Sequence, residues 1–358
     1  MTRVQTFLAG VKIIDLSQYI PGPFASLMLA DMGAEVLKVE PPVGDGMRAL
    51  GPRDGQGQPV FYEALNASKS VLRLDLKTGS GRAALLDHID SADVLIEGFR
   101  PGVMQRLGLD YDTLKQRRPE LVYCSISGYG PTGPLANTAA HDGNYLANAG
   151  MMDRNGAPTP MFFDPPLADM SGALFAAIAI LGALHGRHSS GRGIRIDIGL
   201  ADALMPLQLL QIADWSANGT VPEARSYYLN GGAAYYQVYA TADGRHVMLG
   251  AVEPKFWRNF CDAADRDDWT LRQSESMPQT ALTANVAALF ATMTLDQANK
   301  RFAGVDCCFS PVLDLGEALT SAQVIQRGLV KDAQALFPAK FDGETSGLRA
   351  PLVELAIS

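Results

Sequence analysis

Cysteine is scarce: 358 residues hold four, and Cys124, Cys261, Cys307 and Cys308 show no C-x-x-C spacing. Adjacent Cys307 and Cys308 make a poor disulfide pair and half of no recognisable zinc site. A disulfide scaffold is excluded, and a reducing cytoplasm is the expected location. Charge is also sparse, at 19% of residues against 47% hydrophobic, which excludes wholesale disorder and predicts a large buried core. Basic residues are outnumbered, 30 against 38 acidic ones, for a net charge of −8. Such a balance argues against nucleic acid as a partner, and any anionic ligand must meet a local cluster of cations. The opening MTRVQTFLAG has no apolar signal core. The longest apolar stretch, Ala173 to Leu184, is too short to span a bilayer and reads as a buried helix, so no membrane partner is expected. The closing Leu-Ala-Ile-Ser matches no targeting signal. The phosphate-loop and G-x-G-x-x-G fingerprints are missing, as are H-E-x-x-H and G-x-S-x-G, so neither a nucleotide cofactor nor a metal is expected.

What is present is an alternation of strand and helix. Lys12 to Leu16 reads as a strand, Phe24 to Met32 as a helix closed by Gly33, and Glu35 to Val39 as a second strand. Strand, helix, strand in this span is a βαβ unit and implies a parallel sheet. The pattern continues with strands at Ser70–Leu74, Asp93–Ile96 and Leu121–Ser125, and helical segments at Gly79–Ile89 and Val103–Leu107. Met151 to Pro166 reads as a loop, and a long apolar helix spans about Met170 to His185. The expected division is a large Rossmann-like α/β domain over 1–200, a linker helix over 201–224, a smaller α+β domain over 225–300, and a return to the large domain over 301–358. Asp243-Gly244 between two strands marks a hairpin in the smaller domain, and the strand-like Val305–Leu313 begins the return.

Three polar groups stand out by their settings. His141, one of five histidines, closes a Gly/Pro-rich loop with Asp142 behind it. Loops carry function, although a surface histidine beside an N-capping Asp142 is the plainer interpretation. Asp169 precedes the apolar helix and reads as its N-cap; small Ser171 and Gly172 would let a ligand approach exposed helix N–H groups, which could stabilise an oxyanion. Glu253 follows an apolar strand and precedes Pro254, as helix-start electrostatics would place it. His185 and His188 read as cations complementing a helix C-terminus, not as metal ligands.

Several separated segments resemble one family. They include Leu29-Ala30-Asp31-Met32-Gly33-Ala34-Glu35-Val36, Lys38-Val39-Glu40-Pro41-Pro42, Leu74-Asp75-Leu76-Lys77 and Glu97-Gly98-Phe99-Arg100-Pro101-Gly102-Val103. Ser127-Gly128-Tyr129-Gly130 precedes His141-Asp142, and Gly231-Gly232 precedes Glu253-Pro254. Together, and in this order, they resemble the family III CoA-transferase superfamily, and within it the α-methylacyl-CoA racemase branch, over nearly the whole chain. The resemblance implies two α/β domains, two chains interlocked into a homodimer, an acyl-CoA thioester as substrate, and no cofactor beyond that CoA. It implies that His141 and Asp169 act as opposed acid/base groups on the substrate's C2 and that Glu253 supports the histidine. In the transferase branch the aspartate is instead a nucleophile.

The chemistry suits these groups. Inverting C2 of a thioester needs one group to take the α-proton and another, in the opposite protonation state, to return one to the other face. Neutral His141 and protonated Asp169 fit, provided the aspartate's site is poorly solvated. The resemblance places Arg73, Leu74, Asp75, Leu76, Gly98, Arg100 and Arg106 around CoA, with Lys69, and lines the acyl pocket with Ala140, Asp142, Asn144 and Tyr145. Ala140 and Gly143 replace the family's usual Gly and Ile there. Met151, Met152, Met161 and Met170 read as core filling or as an adaptable acyl surface. The leading expectation is a C2 epimerase of 2-methylacyl-CoA thioesters. The alternatives are CoA transfer to a carboxylate through Asp169, and a non-catalytic acyl-CoA-binding protein.

Overall fold

The computed structural model describes residues 2–155, 159–221 and 223–356, which form two compact units. The larger comprises 1–149, 163–208 and 322–358; the smaller comprises 150–162 and 209–321. The expected loop over 151–166 falls partly outside the described residues, at 156–158, as do the last two residues of the chain.

The larger unit is built on strands β1 (Lys12–Asp15), β2 (Glu35–Glu40), β3 (Ser70–Arg73), β4 (Val94–Glu97), β5 (Val122–Ser127) and β6 (Arg195–Gly199). The late strand β12 (Val353–Glu354) joins them in one parallel sheet, ordered β12-β3-β2-β1-β4-β5-β6. Its run from β3 to β6 is the strand order of dinucleotide-binding folds, in which the chain changes direction between β1 and β4. Central strands read as continuous apolar runs because both faces are covered; all four residues of β4 are buried.

Helices α1 (Pro21–Asp31), α2 (Val60–Asn66), α3 (Gly79–Ile89), α4 (Val103–Leu107), α5 (Tyr111–Arg117) and α6 (Asp142–Asn148) belong to this unit. Pro21 starts α1, where its fixed φ suits a first turn. Gly33 ends the turn after α1 at φ +103, and a side chain there would run into the Gln5 carbonyl. The smaller unit begins with α7 (Met151–Arg154), and α8 (Leu167–Ser190) returns to the larger one. At 24 residues α8 is long and apolar enough, by length and composition alone, to cross a membrane; the 173–184 stretch underestimated it. It packs on α1, β5 and β6 as a core helix.

A polar network lies buried beneath the carboxyl ends of β1, β2 and β3. Lys38 pairs with Asp45 at 2.9 Å and donates to the Ser17 carbonyl at 2.8 Å. Lys69 donates to the Pro23 carbonyl and Asn66 Oδ1, both at 2.9 Å, and lies 3.5 Å from Asp15. Lys69 is therefore a core residue, 1% exposed, and not the surface phosphate ligand that the resemblance implied. Burial pulls its pKa down to about 7, against the pull of Asp15. Burial alone would raise Asp15, but Lys69, Lys38 and the hydroxyls of Ser17 and Ser26 hold it low. Arg48 joins Glu40 to Glu354, and Arg349 grips Asp31 with two 2.7 Å bonds, so this network and its neighbour fix the returning C-terminal segment.

The smaller unit has an antiparallel sheet of β7 (Tyr236–Ala240), β8 (His246–Gly250) and β9 (Phe309–Pro311). Gly244 turns the expected hairpin at φ +74. Helices α9 (Leu209–Asn218), α10 (Pro254–Ala263), α11 (Thr280–Phe290), α12 (Leu295–Phe302) and α13 (Leu315–Leu319) complete it, around an aromatic core of Trp257, Phe260, Phe290 and Phe302. The strand expected near 305–313 does not return to the large sheet. It hydrogen-bonds to β8 as β9, which carries the small unit to residue 321 instead of 300. The return begins with α14 (Ala322–Arg327) and a short hairpin of β10 (Val330–Lys331) and β11 (Gln334–Ala335). Helices α2, α5 and α12 and edge strand β6 were not read from sequence; β6 alternates charged and apolar residues directly after a polar run.

Removing the Asp15 charge leaves Lys69 without its counter-ion in the core, while Lys38 keeps Asp45. Asp15→Asn is expected to cost about 3–5 kcal/mol in urea unfolding, and Lys69→Met in the same chain should recover part of it.

Candidate functional site

A parallel sheet of this order offers a crevice outside the carboxyl ends of the strands that flank the switch point. A cavity of about 290 Å³ lies there, walled by the loops after β1, β4 and β5 and by residues around α6 and α8. His141, Asp169, Ala140, Tyr145, Gly98 and Arg100 all line it. The proton-transfer pair read from sequence thus shares one cavity.

The local structure shows how. His141 sits just before α6 with extended backbone, and its N–H donates to Asn144 Oδ1 at 3.0 Å. Its imidazole is exposed. Tyr145, one turn along α6, is buried and donates to the Ala140 carbonyl at 2.9 Å, which fixes the approach to His141. A side chain at Gly128 would strike the Tyr145 hydroxyl at 2.5 Å, so the β5 loop needs glycine there.

Asp169 is not the N-cap of α8. Pro166 holds that position, and Asp169 lies in the first turn. The cap comes from the other helix: Asp142 Oδ1 accepts from the N–H of Ala168 at 2.7 Å and of Asp169 at 3.1 Å. Asp142 therefore caps α8, across 26 and 27 residues of sequence, and not its own helix. Two consequences correct the sequence reading. These N–H groups are occupied and do not face a substrate oxyanion. Ser171 and Gly172 are buried, and Gly172 makes room for Leu200, not for a ligand.

The same contact tunes Asp169. A helix N-terminus ordinarily favours an ionised carboxylate. Here Asp142 has filled it with negative charge, and Asp169 is half-buried. Burial first, and the Asp142 charge second, push the Asp169 pKa up to about 7. Burial, with Asp169 next, likewise raises Tyr145 to about 12. Asp169 is thus poised to hold or release a proton near neutrality.

The remaining expected residues are divided. Asn144 lines an adjoining cavity with Arg100 and His141. Arg100 borders three neighbouring cavities and, like Arg106, makes no ion pair among the described residues. Arg73 lies 3.9 Å from Glu354, the Leu74 N–H donates to the Glu40 carbonyl, and the carbonyls of Asp75 and Leu76 accept from the Thr78 N–H and the Arg82 guanidinium; none of the four lines the cavity. Glu253 is in the smaller unit, exposed at the start of α10, and its carboxylate makes no hydrogen bond or ion pair among the described residues. Sequence reasoning missed Ser17, Gln18, Tyr19, Gly22, Ser127 and Leu200 as wall residues. The signal was available, since loops at the carboxyl ends of parallel strands are where such folds bind ligands. Among the described residues no group of three His, Cys, Asp or Glu side chains could hold a metal ion.

The model of CoA-transferase family III matches residues 8–349. The chain belongs to CoA-transferase family III. It is 33% identical over 356 residues to an acetyl-CoA:oxalate CoA-transferase of Acetobacter aceti, covering 92% of this chain and 87% of that one. It is equally 33% identical over 330 residues to the human α-methylacyl-CoA racemase, covering 90% and 81%. A CaiB/BaiF family protein from Brucella suis has the same fold, with TM-score 0.85, 28% identity and coverage of 97% and 96%. Family III relatives are thus divided between transferases and racemases.

Asp169 titrates near 7 when folded and near 4 when unfolded, so the folded chain binds the extra proton between those values. Its contribution to stability therefore falls as pH rises from about 4 to 7, and the full cost remains above 7. The stability of Asp169→Asn relative to the parent should improve by about 1–3 kcal/mol between pH 5 and pH 8 in urea unfolding. A constant difference would contradict the tuning. Asp142→Asn keeps an acceptor for α8 but removes the charge, and should move the Asp169 limb of a pH–rate profile to lower pH.

Proposed function

We propose that this enzyme of CoA-transferase family III is an epimerase acting at C2 of 2-methylacyl-CoA thioesters. The observation that carries the reading is that His141 and an Asp169 tuned to about 7 line one cavity. Neutral His141 accepts the α-proton, leaving an enolate, and protonated Asp169 delivers its proton to the opposite face of C2. The reverse direction begins from imidazolium and carboxylate. Neither direction consumes a co-reactant, and a pair with separated environments is what two-face proton transfer requires. Arg100 at the cavity, without an ion pair among the described residues, and Arg106 nearby in sequence offer cations for CoA phosphates. In line with the resemblance, Glu253 is proposed as a third, supporting group of the reaction.

A second reading is CoA transfer, favoured by the transferases among the relatives. There ionised Asp169 would attack the thioester carbonyl, form a mixed anhydride and release CoA thiolate. Incubation of a single stereoisomer in deuterated buffer separates the readings. Epimerisation predicts deuterium at C2 and a mixed stereocentre without any acceptor acid. Transfer predicts unlabelled C2 and CoA moved to an added carboxylate. For the epimerase, His141→Ala and Asp169→Asn should each lower kcat about 10²–10⁴-fold; exchange at the parental rate in both would indicate a binding protein instead.

The chain is also proposed to self-associate. Helix α9 buries no residue, and Leu209, Leu210 and Trp215 are 67%, 62% and 57% exposed. Light scattering should give twice the chain mass, and Leu210→Asp with Trp215→Lys should weaken the dimer.

A further inference from the structure

The smaller unit contains a second cavity, of about 460 Å³, which the reading above does not use. Two arginines line it, Arg154 at the end of α7 and Arg225 in the segment before β7. No carboxylate is among its lining residues, and neither arginine makes an ion pair among the described residues. Arg154 Nε is buried without a hydrogen-bond partner among them. A buried guanidinium donor without an acceptor is costly, and its natural complement is an anion.

Arg225 adds an independent sign. It is held at φ +61, a left-handed conformation uncommon for a non-glycine residue, and strain of this kind collects at ligand clamps. Around the two cations the amides are already committed. Gln237 donates to the Gly231 carbonyl at 2.8 Å, Asn155 to the Met161 carbonyl at 3.2 Å, and Asn230 Oδ1 accepts from the Tyr227 N–H at 2.7 Å. They shape the wall, and the two guanidiniums are the cations among its lining residues. Met161, Leu229, Val238 and Met248 supply an apolar surface. A volume of this size lies in the range of small-molecule sites.

We propose that this cavity binds a small carboxylic acid, with the carboxylate held by Arg154 and Arg225 and a short apolar body laid on Met161, Leu229, Val238 and Met248. Guanidinium forks match a carboxylate bidentately, and the apolar lining distinguishes an organic acid from inorganic phosphate. The site does not depend on His141 or Asp169.

Calorimetric titration of the full chain with straight-chain monocarboxylates from acetate to octanoate, the matching dicarboxylates, and inorganic phosphate tests this. Saturable binding of one acid per chain, tightening with chain length and retained in His141→Ala, is expected. Arg154→Gln and Arg225→Gly should each weaken it at least tenfold. Glycine relieves the left-handed strain, so Arg225→Gly should melt at or above the parental temperature, which separates lost binding from lost folding. An ω-carboxyacyl-CoA in place of the free acid tells which molecule carries the carboxylate; arginine-dependent binding of either supports the site. No binding of any of these carboxylates, phosphate binding as tightly as the best acid, or parental affinity in both variants would overturn it.

Discussion

The bond from Asp142 to the first turn of α8 is the constraint on which the candidate site depends. It joins the helix that follows His141 to the helix that carries Asp169, so one carboxylate fixes the spacing of two groups that lie far apart in sequence. It also adds, after burial, to the rise of the Asp169 pKa. An open helix start would hold Asp169 ionised; a start closed by a neighbouring carboxylate favours the protonated form instead. A positional contact and a change of acidity are here the same interaction.

The sheet supplies the rest of the geometry. Because the chain reverses direction between β1 and β4, the loops leaving those strands part and expose a crevice, and β5 adds its glycine-bearing loop. Beneath the first of these loops lies the buried ionic network. Lys38 holds the Ser17 carbonyl while Asp15 takes the Ser17 N–H, so the cavity wall at Ser17 is anchored from below by charges that never reach solvent. Buried ions add little net stability over a well-packed apolar core. Their evident effect here is to hold one loop in one place.

Much of this was legible in the sequence, and the failures have physical causes. Helices Gly79–Ile89 and Val103–Leu107 match their expected bounds, because period and punctuation are local properties. His141 and Asp169 could be named but not joined, since the Asp142 contact is tertiary. Asp169 was misread as a cap because an aspartate near a helix start has that role by local rules, and only the fold shows the position taken from elsewhere. Lys69 was misread because a lysine is ordinarily at the surface, and its carbonyl and amide partners come from α1 and α2. β9 was assigned to the wrong sheet because a three-residue strand carries no mark of its partner.

One edge strand of the sheet, β12, is also the last strand among the described residues, and between β6 and β12 the polypeptide passes through nearly the whole of the smaller unit. The inserted stretch 209–321 is continuous, whereas the larger unit cannot seal its β3 edge until residues 353–354 are available. On the ribosome the inserted body can therefore complete itself before the unit that surrounds it in sequence. The half-built sheet meanwhile carries an unpaired strand edge, the kind of surface that chaperones shield and that stray chains adhere to.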